Sequence, residues 1–161
     1  PLGVVPCCVR WCVVGDWLPT GAWVAPADGG RHLSHGHCLV GCDLLDYPVP
    51  DFLAGFPAGV RSSLQLPDRL DVSAIVPGHG EVLHDKVYLR AVIGLLDSII
   101  TQVNAEIVHE GVLSARFDKV RAAIDTSADR RKFAGDDAES QEYFDESIEG
   151  LIRDAFNQAP K

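Results

Sequence analysis

Near the middle of the chain a β-branched run, Asp71-Val72-Ser73-Ala74-Ile75-Val76, stops abruptly at Pro77-Gly78-His79-Gly80. A run of that kind, halted by Pro-Gly, predicts a buried strand entering a sharp turn. A long amphipathic segment follows at once. Leu89, Val92, Ile93, Leu96, Ile99, Ile100, Val103 and Ile107 recur at i, i+3, i+4 spacing, while Lys86, Arg90, Asp97, Gln102 and Glu106 fall elsewhere. Asp85 is positioned to cap this helix and Gly111 to end it in a left-handed conformation. Strand, glycine-flanked histidine and long helix, in that order, require a fold that holds both element types.

The flanking sequence extends the pattern. Cys38-Leu39-Val40-Gly41-Cys42 predicts a short buried strand, and the Pro-rich stretch from Asp43 to Pro50 a loop. Arg61 to Leu66 predicts a short helix ended near Pro67. Ser114 is read as opening a further helix with Phe117, Val120 and Ile124 inward. After a polar stretch, Ala138 to Asn157 makes another, with Phe144, Ile148, Leu151, Ile152 and Phe156 on one stripe. Glu139, Glu142, Asp145, Glu146 and Glu149 form an acidic stripe, read as a solvated face.

The first 42 residues are different in kind. They hold all five cysteines, all three tryptophans and three of the six histidines, with apolar pieces broken by Gly and Pro and no clean period. Cys7, Cys8, Cys12, His35, His37, Cys38 and Cys42 invite a zinc reading, but no Cys-x-x-Cys knuckle is present and Cys7 and Cys8 are adjacent. Five is also an odd number for a disulfide framework. Residues 1–42 are therefore read as an irregular segment; a native, a degenerate and an out-of-frame origin all fit it.

Composition sets outer bounds. A chain of 161 residues can bury a real core. The net charge of −9 argues against nucleic acid, whose phosphates need clustered Lys and Arg. No run of about 18 apolar residues stands out, so no membrane span is expected. The chain has no methionine, which reads as a processed product or an incomplete stretch of a longer protein. No secretory signal opens it, and compartment and oligomeric state stay open.

Two residues carry chemistry. His79 is delivered by a strand end into a turn with glycine on both sides, a rigid place to hold a metal ligand. Asp43 also follows an apolar strand, where a carboxylate can bridge two metal ions. By position alone Asp43 is better read as a turn residue opening the loop, and it gains weight only beside His79. His84 and His109 sit at helix edges and are read as solvated. No serine or cysteine nucleophile has a partner arrangement, and no Gly-rich phosphate loop occurs.

Gly41-Cys42-Asp43-Leu44-Leu45-Asp46-Tyr47-Pro48-Val49-Pro50, then Gly55-Phe56-Pro57, then Leu70 through Gly80 resemble the second half of metallo-β-lactamase-fold hydrolases. The resemblance covers about Gly41 to Lys161, and Pro77-Gly78-His79-Gly80 is its specific part. It implies a partial αββα sandwich over 43–110 with a helical C-terminal extension over 111–161. It also implies that Asp43 and His79 are ligands of a site holding two zinc ions in the intact family. The implied activity is hydrolysis of an ester, amide, thioester or phosphoester bond in a small-molecule substrate. Cys42 stands where the family has glycine, and no His-x-His-x-Asp-His occurs. The family's other histidine turn has no counterpart at Val14-Gly15-Asp16 or Gly21-Ala22-Trp23, and His32, His35 and His37 lie too close to Asp43 to supply it. With two ligands present, the expectation is an inactive fragment, and the alternative is a non-catalytic helical interaction module.

Overall fold

The computed structural model describes residues 38–42, 44–52, 56–112 and 114–160, together with four short strand pieces before them. Those pieces are β1 (Gly3–Val4), β2 (Val13–Val14), β3 (Trp23–Val24) and β4 (Gly30–Leu33). β5 (Cys38–Cys42), α1 (Pro57–Arg69), β6 (Ala74–Pro77), α2 (Val87–Glu110), α3 (Phe117–Ala123), α4 (Ser127–Ala134) and α5 (Ala138–Gln158) follow. The described residues are mixed α/β and mostly helical. Of the cysteine-histidine segment, Cys7, Cys8, Cys12, His35 and His37 lie outside the described residues.

Two compact units divide the chain: residues 1–47 with 63–90, and residues 48–62 with 91–161. The first holds every strand. β1 and β2 pair antiparallel, and a four-stranded sheet runs in the order β3-β4-β5-β6. β5 and β6 are parallel, with Leu39 opposite Ile75, Val40 opposite Val76 and Cys42 opposite Pro77. The register shifts between Val40 and Cys42, which makes Gly41 the extra residue of a bulge. Leu39 and Ile75, the paired residues of this ladder, are both buried. The strand expected over 71–76 is observed at Ala74–Pro77, and Asp71 and Val72 precede it as irregular backbone.

α1 is longer than expected at both ends. It opens on Pro57, whose missing N–H costs nothing in a first turn. It also runs past Pro67 to Arg69. A proline so near the end forfeits one hydrogen bond, and the carbonyls beyond it gain other donors. The Lys86 ammonium donates to the carbonyl oxygens of Asp68, at 2.8 Å, and Leu70. Arg90 adds an ion pair to Asp68 at 2.7 Å.

α2 begins where the capping residue placed it, with the Val87 N–H donating to Asp85 Oδ1 at 2.8 Å, and Gly111 follows it at φ 86°. Its buried stripe is Leu89, Val92, Leu95, Leu96, Ile99, Val103 and Ile107. Ile93 and Ile100 are half-buried, and Leu95 takes the deeper place because the stripe drifts with the helix's 3.6-residue period. By length and mean hydropathy α2 is apolar enough to cross a membrane, a property that core helices of soluble proteins share. Arg90, Asp97 and Glu106 interrupt any continuous apolar run, but they are spaced widely enough to leave its mean hydropathy high.

In the second unit α3 and α4 pack on α5. Asp137 caps α5 by accepting from the Ser140 N–H, and Phe144, Ile148, Leu151, Ile152 and Ala155 form its buried face. Phe133 of α4 stacks on Phe144 with centroids 6.1 Å apart, and Phe117 of α3 meets Phe156 edge-on at 5.7 Å. The acidic stripe is partly paired: Arg121 holds Glu149 at 2.6 Å and Arg130 holds Asp145 at 2.8 Å. Ser114 does not open α3. Its hydroxyl donates back to the carbonyls of Glu110 and Gly111, closing the end of α2. The Gln102 side chain exchanges two hydrogen bonds with the Asp125 backbone between α3 and α4. Residues 48–52 are tied to α5 by Tyr143 Oη donating to Asp51 Oδ2 at 2.7 Å and Ser147 Oγ donating to the Pro50 carbonyl at 3.0 Å.

Candidate functional site

The parallel pair decides where two loops leave the sheet. Because β5 and β6 run the same way, the segment after Cys42 and the segment after Pro77 emerge at one edge. That carboxyl-terminal edge is where ligands bind in open α/β sheets. His79 lies two residues past Pro77.

The His79 turn is closed at its base. The Ile75 N–H donates to the Leu83 carbonyl and the Leu83 N–H to the Ile75 carbonyl, both at 2.8 Å. Residues 78–82, between the end of β6 and this bridge, therefore form a turn with His79 exposed, and Glu81, Val82 and His84 are exposed with it. Gly80 adopts φ 92°, a left-handed conformation that side-chain-bearing residues disfavour. A Cβ at Gly80 would also run into the Tyr47 carbonyl.

The loop after β5 is stitched to this tip. The Gly78 N–H donates to the Leu45 carbonyl at 2.9 Å, and the Tyr47 N–H donates to the His79 carbonyl at 3.0 Å. Leu44, Leu45 and Asp46 are buried, so the loop is anchored as well as attached. Tyr88, from the first turn of α2, donates its hydroxyl to the Asp46 carbonyl at 2.5 Å. Its ring meets Tyr47 edge-on, with centroids 5.0 Å apart and planes at 77°. Burial pushes the Tyr88 phenol far above its ordinary pKa, with the Asp46 carboxylate and Tyr47 adding to the shift. The hydroxyl therefore keeps its proton and remains a donor.

Of the two expected ligands, His79 is presented in the open and Asp43 lies outside the described residues. The structure does bring Asp43's sequence neighbours, Cys42 and the 44–47 loop, to the same sheet edge as His79. Among the described residues no group of three or more His, Cys, Asp or Glu side chains is gathered. An imidazole nitrogen and a carboxylate oxygen suit zinc in donor type, but two are fewer than the roughly three protein ligands of a catalytic site. His84 and His109 are exposed as expected, with His109 3.8 Å from Glu106.

Sequence reasoning missed the tyrosines. Tyr47 and Tyr88 are 41 residues apart, Tyr47 in a loop and Tyr88 in the first turn of a helix, so neither falls in a periodic pattern with the other. Two signals were nevertheless available: a loop aromatic directly before Pro48, and a tyrosine next to Leu89 at the start of α2, off its buried stripe. No protein-family model matches the chain, and no curated protein matches it in sequence.

Proposed function

We propose that this chain is the C-terminal portion of a zinc-dependent hydrolase of the metallo-β-lactamase fold, its α/β unit corresponding to the second half of the αββα sandwich. Asp43 and His79 contribute two zinc ligands. The observation that carries this reading is the pair of backbone hydrogen bonds joining the post-β5 loop to the His79 turn, at the carboxyl-terminal edge of a parallel strand pair. A strand-end histidine beside a second strand-end segment is how such a fold gathers ligands from distant sequence.

Zinc supplies Lewis acidity in sites of this type, lowering the pKa of a bound water to about 7. The residues of this chain hold two ligands of such a site, and these 161 residues contain no His-x-His-x-Asp-His to complete it. The reading is therefore of a ligand-contributing half that does not turn over alone. The intact parent hydrolyses an ester, amide, thioester or phosphoester bond in a small-molecule substrate.

Zinc titration of the whole chain, its His79→Ala variant and its Asp43→Ala variant tests this. Weak zinc binding that either substitution removes, without turnover of generic ester or phosphodiester substrates, is the expected result. Binding indifferent to both substitutions overturns the site. Zinc-dependent turnover lost in His79→Ala overturns the inactivity. The second reading, a helical interaction module, draws on the compact all-helical second unit with its own buried aromatic contacts. Zinc bound through neither residue, together with specific capture of a partner by the whole chain, favours it.

A further inference from the structure

We infer that Tyr88 is the positioning residue of the His79 turn. It acts through the 44–47 loop, at two points. Its hydroxyl holds the Asp46 carbonyl at 2.5 Å, and its ring edge packs against Tyr47. Those two residues are the ones that matter for the tip: Asp46 follows Leu45, whose carbonyl receives the Gly78 N–H, and Tyr47 donates its own N–H to the His79 carbonyl. Gly80 completes the fit, because the Tyr47 backbone occupies the space a side chain at position 80 would need.

The physical need for such a device is plain. His79 is exposed in the turn between the end of β6 and Leu83, and the ladder bonds at Ile75 and Leu83 fix the base of that turn but not its tip. Two amide bonds from a neighbouring loop fix the tip, provided that the neighbouring loop is itself held. Tyr88 stands on the first turn of a 24-residue helix, a rigid support. Fixing backbone around an exposed histidine reduces the conformations it must give up when it takes a ligand. Sheltered groups behind a ligand commonly govern affinity in this way.

The assignment rests on the metal reading of His79 in its second measurement alone. In the first, amide exchange is compared in the whole chain and in Tyr88→Phe, which keeps the ring and deletes the hydroxyl. The Tyr47 and Gly78 amides are expected to exchange about tenfold faster, the size of one lost hydrogen bond. The Ile75 and Leu83 amides at the loop base, and those of α5, are expected to stay within about twofold. No change at Tyr47 and Gly78, or an equal rise at all of these amides, overturns the inference; the latter marks a merely structural residue. Should Tyr88→Phe fail to fold, the unaltered chain decides: a slowly exchanging Tyr88 hydroxyl proton with a cross-relaxation contact to Asp46 supports the clasp, and its absence overturns it.

In the second measurement zinc is titrated while the His79 imidazole nitrogens are followed. Zinc affinity at His79 is expected to fall about tenfold in Tyr88→Phe with helical content unchanged. An unchanged affinity where zinc does bind overturns the positioning role. If zinc moves no His79 signal in the unaltered chain, the metal reading fails and the exchange contrast alone decides Tyr88.

Discussion

At the scale of single residues, the His79 turn combines a part that sequence makes legible with a part that it does not. Glycine on both sides of a histidine at the end of a β-branched run is a local pattern, and the local pattern suffices to locate the turn. What holds the turn from behind is Tyr47 with Tyr88, which meet edge-on although 41 residues apart in sequence, and no nearest-neighbour rule anticipates that. Asp43 lies outside the described residues, and by position alone the sequence favours a turn residue there over a ligand. Gly80 is the sharpest test of the packing. Gly80→Ala asks an L-residue to hold φ 92° while its Cβ meets the Tyr47 carbonyl. A loss of about 1–3 kcal/mol is expected, read as a shifted urea midpoint at unchanged slope. His79→Ala, by contrast, removes an exposed side chain and is expected to leave stability within about 0.5 kcal/mol.

Among the elements, the long periodic helices α2 and α5 are the most readable, α1 and α3 are legible with shifted ends, and α4 is not. α2 and α5 follow their apolar stripes closely, since five or more inward positions average out any single exception. α4 was passed over as a polar stretch. Of its eight residues Phe133 and Ala134 are buried, too few to make a period, and it exists as a helix because Phe133 stacks on α5. Phe144→Ala therefore strikes both helices. It empties a fully buried site on α5 and removes the partner of Phe133, so a loss of about 3–5 kcal/mol is expected in chemical denaturation. The start of α5 carries a pH dependence. The Ser140 N–H holds the Asp137 carboxyl below the usual carboxylate range. A lowered folded-state pKa gives stability that is full above the unfolded value of about 3.9 and is lost as pH falls through the folded one. Asp137→Asn keeps an acceptor without a titrating group. Its unfolding midpoint is expected to match the parent near neutrality and to lose that component of the acid dependence below the carboxylate range.

For the whole molecule, sequence reading divides the chain into consecutive stretches at 42 and 110, whereas compactness divides it into two units of two segments each. Nothing in composition marks 47, 62 or 90, and the last two fall inside helices, where periodicity continues unbroken. Membership is set instead by bonds far apart in sequence, such as Tyr143 to Asp51 and Ser147 to Pro50. Removal of 111–161 is thus expected to undo residues 48–52 as well as the deleted helices. Hydrogen exchange in 91–110 should approach that of an unfolded chain. Protection retained there would mean that α3, α4 and α5 are dispensable to their unit. The same division has a consequence in time. On a ribosome the first unit has all its residues once Arg90 has emerged, while the 48–62 segment, made before the 63–90 part of the first unit, waits for partners not yet synthesised. From Ser62 to the last residue, at about 5–20 residues per second, that wait is on the order of 5–20 s, and throughout it Val49, buried in the finished protein, lacks its partners.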